Sequence, residues 1–112
     1  FTSIDMFNRN CAWAFYAAPD APKGTGSKME ILALEKAFYD LKLHKIYCEV
    51  LDFNSAVLRL HQKFGFAVEG VFKEQHCMDD IFVDVYRLGL LSARWDAMRA
   101  EKITEITSRI GR

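Results

Sequence analysis

An excess of charge of either sign is missing from this chain of 112 residues. Fifteen Lys and Arg stand against fifteen Asp and Glu, and the formal net charge is zero. That balance argues against a general nucleic-acid or polyanion binder. Long hydrophobic runs are missing as well. None approaches the ~20 residues a membrane-spanning helix needs, so no membrane partner is expected. Cysteine is scarce: Cys11, Cys48 and Cys77 are an odd number at wide spacing. They make neither a disulfide framework nor a zinc pattern, so no metal and a reducing cytoplasm are expected. Repeats and low-complexity tracts are absent. The first residue is Phe1 rather than Met, and no signal peptide is visible, so the chain reads as a fragment or a trimmed start. Proline is rare, and both prolines lie with Gly24 and Gly26 between residues 19 and 26. What is plentiful is core material. Apolar residues make up 51% of the chain, with nine Phe among them, which fits one globular domain.

Periodicity orders that material. Residues 11–17 alternate, with Cys11, Trp13 and Phe15 on one side and Ala12, Ala14 and Tyr16 on the other, as a strand does. Phe1–Ile4 reads as the end of a preceding strand, with residues 7–10 as the turn of a hairpin. Ile31, Leu34, Phe38 and Leu41 recur at helical spacing and predict a helix over Lys28–Leu43. Ser27 and Glu30 have the spacing of a capping box at its start. Lys45–Leu51 reads as a strand, with Ile46, Cys48 and Val50 sharing one face. A helix from about Ser55 to Phe64 follows, capped by Asn54 and ended by Gly65. Ala67–His76 and Ile81–Leu91 form an antiparallel hairpin around Met78-Asp79-Asp80. Ser92 opens a last helix bearing Trp95, Met98, Ile103, Ile106 and Ile110 on one side. A strand, a crossover helix and a second strand imply one parallel pair. The expectation is a mixed α/β fold: a mixed sheet with helices packed on it.

Two segments carry chemistry. Lys23-Gly24-Thr25-Gly26-Ser27 opens a helix, where unpaired backbone N–H groups and the helix dipole favour an anion. Neither a Walker loop nor a dinucleotide fingerprint is present, and a plain strand–helix turn explains the loop equally well. Asn54-Ser-Ala-Val-Leu-Arg-Leu-His61-Gln-Lys63-Phe-Gly65-Phe66 is the second. Val57, Leu60, His61 and Phe64 fall on one helical face, so His61 points inward. By periodicity alone it is a half-buried histidine with one hydrogen bond.

Together, Lys23-Gly24-Thr25-Gly26 opening a helix, Asn54…His61-x-Lys63-x-Gly65-Phe66 and Glu69-Gly70 resemble the GNAT (Gcn-related N-acetyltransferase) superfamily over residues 1–91. Residues 92–112 form a C-terminal helix beyond it. Ala21 stands where the family has Gln or Arg, and His61 where it has Tyr. A narrower resemblance, to the UDP-amino-sugar N-acetyltransferases of pseudaminic acid synthesis, rests on five segments. These are Phe1-Thr-x-Ile4-Asp5, Trp13-x-Phe15-Tyr16-x-x-Pro19, Lys42-Leu43-His44-Lys45, Cys48-Glu49-Val50 and Asp84–Gly89.

The superfamily resemblance implies the GNAT acyl-CoA acyltransferase fold with a splayed parallel strand pair, lacking here the family's N-terminal strands and helices. It implies acetyl-CoA as cosubstrate. The pyrophosphate lies on Lys23, Gly24, Thr25, Gly26 and Ser27, the pantetheine arm runs near Phe15 and Tyr16, and Asn54 and Lys63 also belong to the cofactor side. His61 would protonate the leaving thiolate, and Glu49, otherwise a surface glutamate, would take the amine's proton. His76 and Asp84 are weaker candidates that cross-strand pairing explains. The narrower resemblance implies acetyl transfer to the 4-amino group of a nucleotide-linked amino sugar. The competing readings are a protein N-terminal or polyamine acetyltransferase and an inactive fragment with a binding role. An uncovered strand edge leaves a homo-oligomer open.

Overall fold

The computed structural model describes residues 1–13 and 25–110. Its sheet has five strands in the order β1-β2-β3-β5-β4. β1 (Thr2–Asp5) and β2 (Asn10–Ala12) form the expected N-terminal hairpin. The Asp5 carboxylate ties its turn by accepting from the Phe7 and Asn8 N–H groups at 3.1 and 2.9 Å. β2 runs parallel to β3 (Lys45–Leu51), Cys11 beside Ile46 and Ala12 beside Tyr47. The Trp13 N–H continues that ladder to the Tyr47 carbonyl at 2.8 Å. The strand expected over 11–17 is thus seen as Asn10–Ala12, and residues 14–17 lie outside the described segments. β5 (Ile81–Leu91) is antiparallel to both β3 and β4 (Ala67–Met78). The turn between them is Asp79-Asp80, both at positive φ (49° and 65°), the two-residue geometry that matches strand twist.

The crossover helix departs from expectation at both ends. α1 spans Thr25–Glu35 and continues as a single π-turn, Lys36–Asp40. Because α1 begins before Ser27, Ser27 is no cap, and Glu30 is no capping-box partner. Glu30 faces inward and is wholly buried. The π-turn is closed by the Leu41 N–H on the Lys36 carbonyl at 2.9 Å. Lys42 then adopts φ 57°, so the helix stops before Leu43, whose side chain drops into the core.

α2 (Ser55–Lys63) starts at Asn54, whose side chain makes no capping bond; only its carbonyl engages, accepting from the Leu58 N–H at 3.1 Å. The other end follows the sequence expectation. Gly65 sits at φ 100°, and its N–H reaches the Gln62 carbonyl while the Phe66 N–H reaches that of His61. That double closure is a Schellman motif, and the Phe66 ring packs 5.1 Å from the His61 ring across it. α3 (Ser92–Ile110) is fastened to the start of β3 by the Ser92 N–H on the His44 carbonyl at 2.9 Å. The core lies on the helix-covered face of the sheet: Cys11, Ile46, Cys48, Val50, Leu88 and Leu90 meet Leu34, Phe38, Phe64 and Trp95. Among the described residues no helix is long and apolar enough to cross a membrane.

Candidate active site

Where Trp13 leaves the β2 ladder, a cavity of about 190 Å³ opens between β3 and α2. Trp13, Cys48, Glu49, Val50, Leu51, Asn54, Val57 and His61 line it. Three residues singled out from the sequence therefore meet in one place. Asn54 arrives from the start of α2, His61 from its last turn and Glu49 from β3. The convergence is a product of periodicity. Asn54 and His61 are seven residues apart, two turns of helix, and so share a side.

His61 is 1% exposed. Its Nδ1 lies 2.9 Å from Oε1 of Glu30, whose own side chain is wholly buried. The second Glu30 oxygen accepts from the Trp13 indole N–H at 3.5 Å, the long limit for such a bond. A buried carboxylate is costly unless paired and hydrogen-bonded, and here α2 and the residue that follows β2 supply one partner each. Sequence reading missed this partnership. The signal was present: Glu30, Ala33, Leu34 and Ala37 follow i, i+3, i+4, i+7, so Glu30 stands inside the apolar stripe of α1.

Glu49 is exposed on the opposite face of β3 from Cys48 and pairs in register with Arg87 of β5, whose guanidinium stacks 3.7 Å from the Tyr47 ring centroid. Cys48 faces the core, and burial, followed by the nearby Glu30 charge, pushes its thiol up to about 12. At neutral pH it is an inert apolar filler, as its alternation with Ile46 and Val50 implies. Lys63 does not join the cleft. It ends α2 with its ammonium 5.7 Å from the Phe64 ring centroid. Phe15, Tyr16, Lys23 and Gly24 lie outside the described residues. Thr25, Gly26 and Ser27 form the first turn of α1, where backbone N–H groups have no intrahelical acceptor. Asp84 is engaged across the hairpin, accepting from the Glu74 N–H at 2.9 Å and the Lys73 ammonium at 3.1 Å.

No protein-family model matches the chain. A spermidine N(1)-acetyltransferase of Vibrio cholerae is 29% identical over 93 residues, which are 82% of this chain and 54% of that protein. An uncharacterized SPbeta prophage-derived N-acetyltransferase, YokL, of Bacillus subtilis is 31% identical over 75 residues, 64% of this chain and 42% of its own length. The chain thus spans about half the length of the curated relatives it matches. Among solved structures, the Vibrio cholerae spermidine N-acetyltransferase in complex with CoA and spermine superposes with TM-score 0.78 at 29% identity, over 82% of this chain and 55% of that one. The same enzyme has also been described as a dodecamer. The mixed sheet with its parallel pair and flanking helices is the GNAT fold of those neighbours, which are GNAT-type N-acetyltransferases.

Proposed function

We propose that this chain, built on the GNAT fold, is the cofactor-binding and proton-transfer part of an acetyl-CoA-dependent N-acetyltransferase whose acceptor is a polyamine. The observation that carries the reading is the cleft itself, which gathers Asn54, His61 and Glu49 beside the parallel pair. The spermidine acetyltransferase relatives favour a polyamine over the nucleotide-linked amino sugar that the narrower sequence resemblance implied. None of these relatives is an amino-sugar enzyme by name.

The chemistry follows from the residues present. Glu49, exposed on β3, removes a proton from the acceptor ammonium. The neutral amine's lone pair attacks the thioester carbonyl carbon, a C–N bond forms, and the carbonyl π electrons move onto oxygen. Collapse of that intermediate breaks the C–S bond, and the electron pair leaves on sulfur. A thiol of ordinary pKa ~8.5 departs tolerably as thiolate, and a donor such as His61 eases the departure. Asn54, whose side chain is not spent on capping α2, is available to the amides of the pantetheine arm. The first turn of α1 offers its N–H groups to the pyrophosphate. Homo-oligomer formation belongs to the same proposal.

The test offers the full-length protein acetyl-CoA with spermidine, with an N-terminal peptide and with a UDP-linked 4-amino sugar. Spermidine is expected to have the highest kcat/KM. Preference for the sugar returns the protein to the narrower resemblance, and transfer to none of the three overturns the enzymatic reading.

A further inference from the structure

The arrangement around His61 holds more than a proton donor needs for mere packing. A wholly buried glutamate from α1 reaches across to its Nδ1, while the indole N–H of Trp13, the residue after β2, occupies the glutamate's other oxygen. We infer that Glu30 is a positioning residue for acetyl transfer: its carboxylate keeps a proton on Nδ1 of His61 and fixes the ring in the cleft, so that proton exchange with the departing sulfur runs through Nε2. This rests on the acetyltransferase reading for its chemistry, though not for its geometry.

The argument is one of donors and acceptors. An ionised carboxylate only accepts, so the hydrogen shared with His61 belongs to Nδ1. Indole Nε1–H only donates, so Trp13 demands an acceptor at the second oxygen. The same logic governs metal-bound and triad histidines, where the partner of one ring nitrogen decides what the other does. In the transfer step the proton leaves Nε2 as the C–S bond breaks and is bonded to sulfur by the electron pair released there. The neutral ring that remains still carries its Nδ1 proton against Glu30. Among the described residues that line the cleft, Cys48 of β3 is the other ionisable group on this side of the strand, Glu49 being exposed on its opposite face. Burial keeps the Cys48 thiol protonated.

Glu30→Gln is the decisive variant because Trp13 dictates its orientation. The indole N–H claims the amide oxygen, so the amide NH2 is turned to Nδ1, which must then accept. The ring proton moves to Nε2, and the neutral N–H it becomes is a much weaker acid than imidazolium. Nitrogen-15 NMR of the histidine rings should show a proton on Nδ1 of His61 in the wild-type chain and on Nε2 in Glu30→Gln. In the full-length enzyme kcat should fall about 10²-fold, with the KM for acetyl-CoA unchanged. Glu30→Asp keeps the charge on a shorter stem and should recover part of kcat. Melting temperatures measured alongside separate lost rate from lost folded protein. An unchanged tautomer in Glu30→Gln overturns the inference, as does a switched tautomer with undiminished kcat. A rate loss that only follows the unfolded fraction, without rescue by Asp, also overturns it. If the wild-type enzyme acetylates none of the amines, the functional reading fails, while the NMR comparison still decides whether Glu30 sets the ring.

Discussion

Val50 of β3 and Val71 of β4 flank the same residue, Tyr86 of β5, in one row across the sheet. Residues directly opposite one another share a face, so all three point towards the helices. Yet Val50 is 5% exposed and Val71 39%. The next row repeats the contrast: Cys48, Leu88 and Val68 stand abreast, at 3%, 0% and 43%. Identical side chains on the same face differ only in how far they lie from the centre of the sheet. Alternation along a strand sets which way a residue points; what covers that side sets whether it is buried. β3 has α1, α2 and α3 over it. β4 is an edge strand, and it keeps Val68, Val71, Phe72 and Met78 exposed. Its own defences are local: Glu69, Lys73 and Glu74 along the strand, and a bulge between Phe72 and His76 where Glu74 takes φ 50°.

The sharpest way to break the comparison is to put one charge at both ends of the row. Val50→Asp buries an unpaired carboxylate in the core and removes a packed side chain. It should cost more than ~4 kcal/mol, enough to abolish the cooperative melting transition of a marginally stable domain. Val71→Asp leaves its carboxylate in water and should stay within about 1 kcal/mol of the parent, with improved solubility. Urea titration of the two variants measures both. If Val71→Asp also unfolds the protein, the exposed face of β4 is covered in solution by something else.

The same contrast explains what could be read from the sequence. Elements whose character is local were legible. The alternation of Ile46, Cys48 and Val50, the Asn54-to-Gly65 helix and the strand–helix–strand order yielded β3, α2 and the parallel pair. His61 was placed inward for the same reason. Features that depend on a distant partner were not legible. Glu30 matched a capping box with Ser27, and nothing nearby showed that α1 begins two residues earlier or that His61 would claim the carboxylate. The π-turn at Lys36–Asp40 and the bulge at Glu74 answer to packing and to Asp84, both remote in sequence. The role of Asn54 as a side-chain cap failed because its carbonyl alone engages the helix. The candidate site was therefore visible as residues but not as a network.

A smaller effect probes how β3 and β4 are coupled across β5. The Lys45 ammonium on β3 meets the Glu69 carboxylate on β4 at 2.7 Å, passing over Gly89 of the strand between them. A Cβ on Gly89 would lie 2.6 Å from that carboxylate, so the bridge exists because β5 has no side chain there. Alanine forces the flexible Glu69 side chain aside, while it removes glycine's entropic penalty in the strand. The two effects oppose, so the informative quantity is their coupling. In a double-mutant cycle, Gly89→Ala should be more favourable in a Glu69→Gln background than in the parent, by about 0.2–1 kcal/mol. Both groups are about a third exposed, so the coupling should vanish in roughly 1 M salt. A coupling of zero at low salt would show that the bridge does not link the strands.

The smallest expected effect concerns the β4 bulge and Asp84 of β5. The Glu74 N–H bonded to its carboxylate, and then the Lys73 ammonium beside it, hold the Asp84 pKa below the ordinary carboxylate value. A carboxyl whose pKa is lower in the folded than in the unfolded chain stabilises the fold by an amount fully present above the unfolded value, ~3.9. That contribution is lost as pH falls through the folded value, where both states are protonated. Asp84→Asn removes the charge while its amide oxygen still accepts from the Glu74 N–H, so only the electrostatic part disappears. The variant should melt a few degrees lower at about pH 7 and together with the parent at about pH 2. Lys73 is 79% exposed, so added salt should narrow the difference at neutral pH. An equal deficit at both pH values would assign the role of Asp84 to the geometry of the bulge instead of its charge. The edge strand would then be held by shape, as β3 is held by packing.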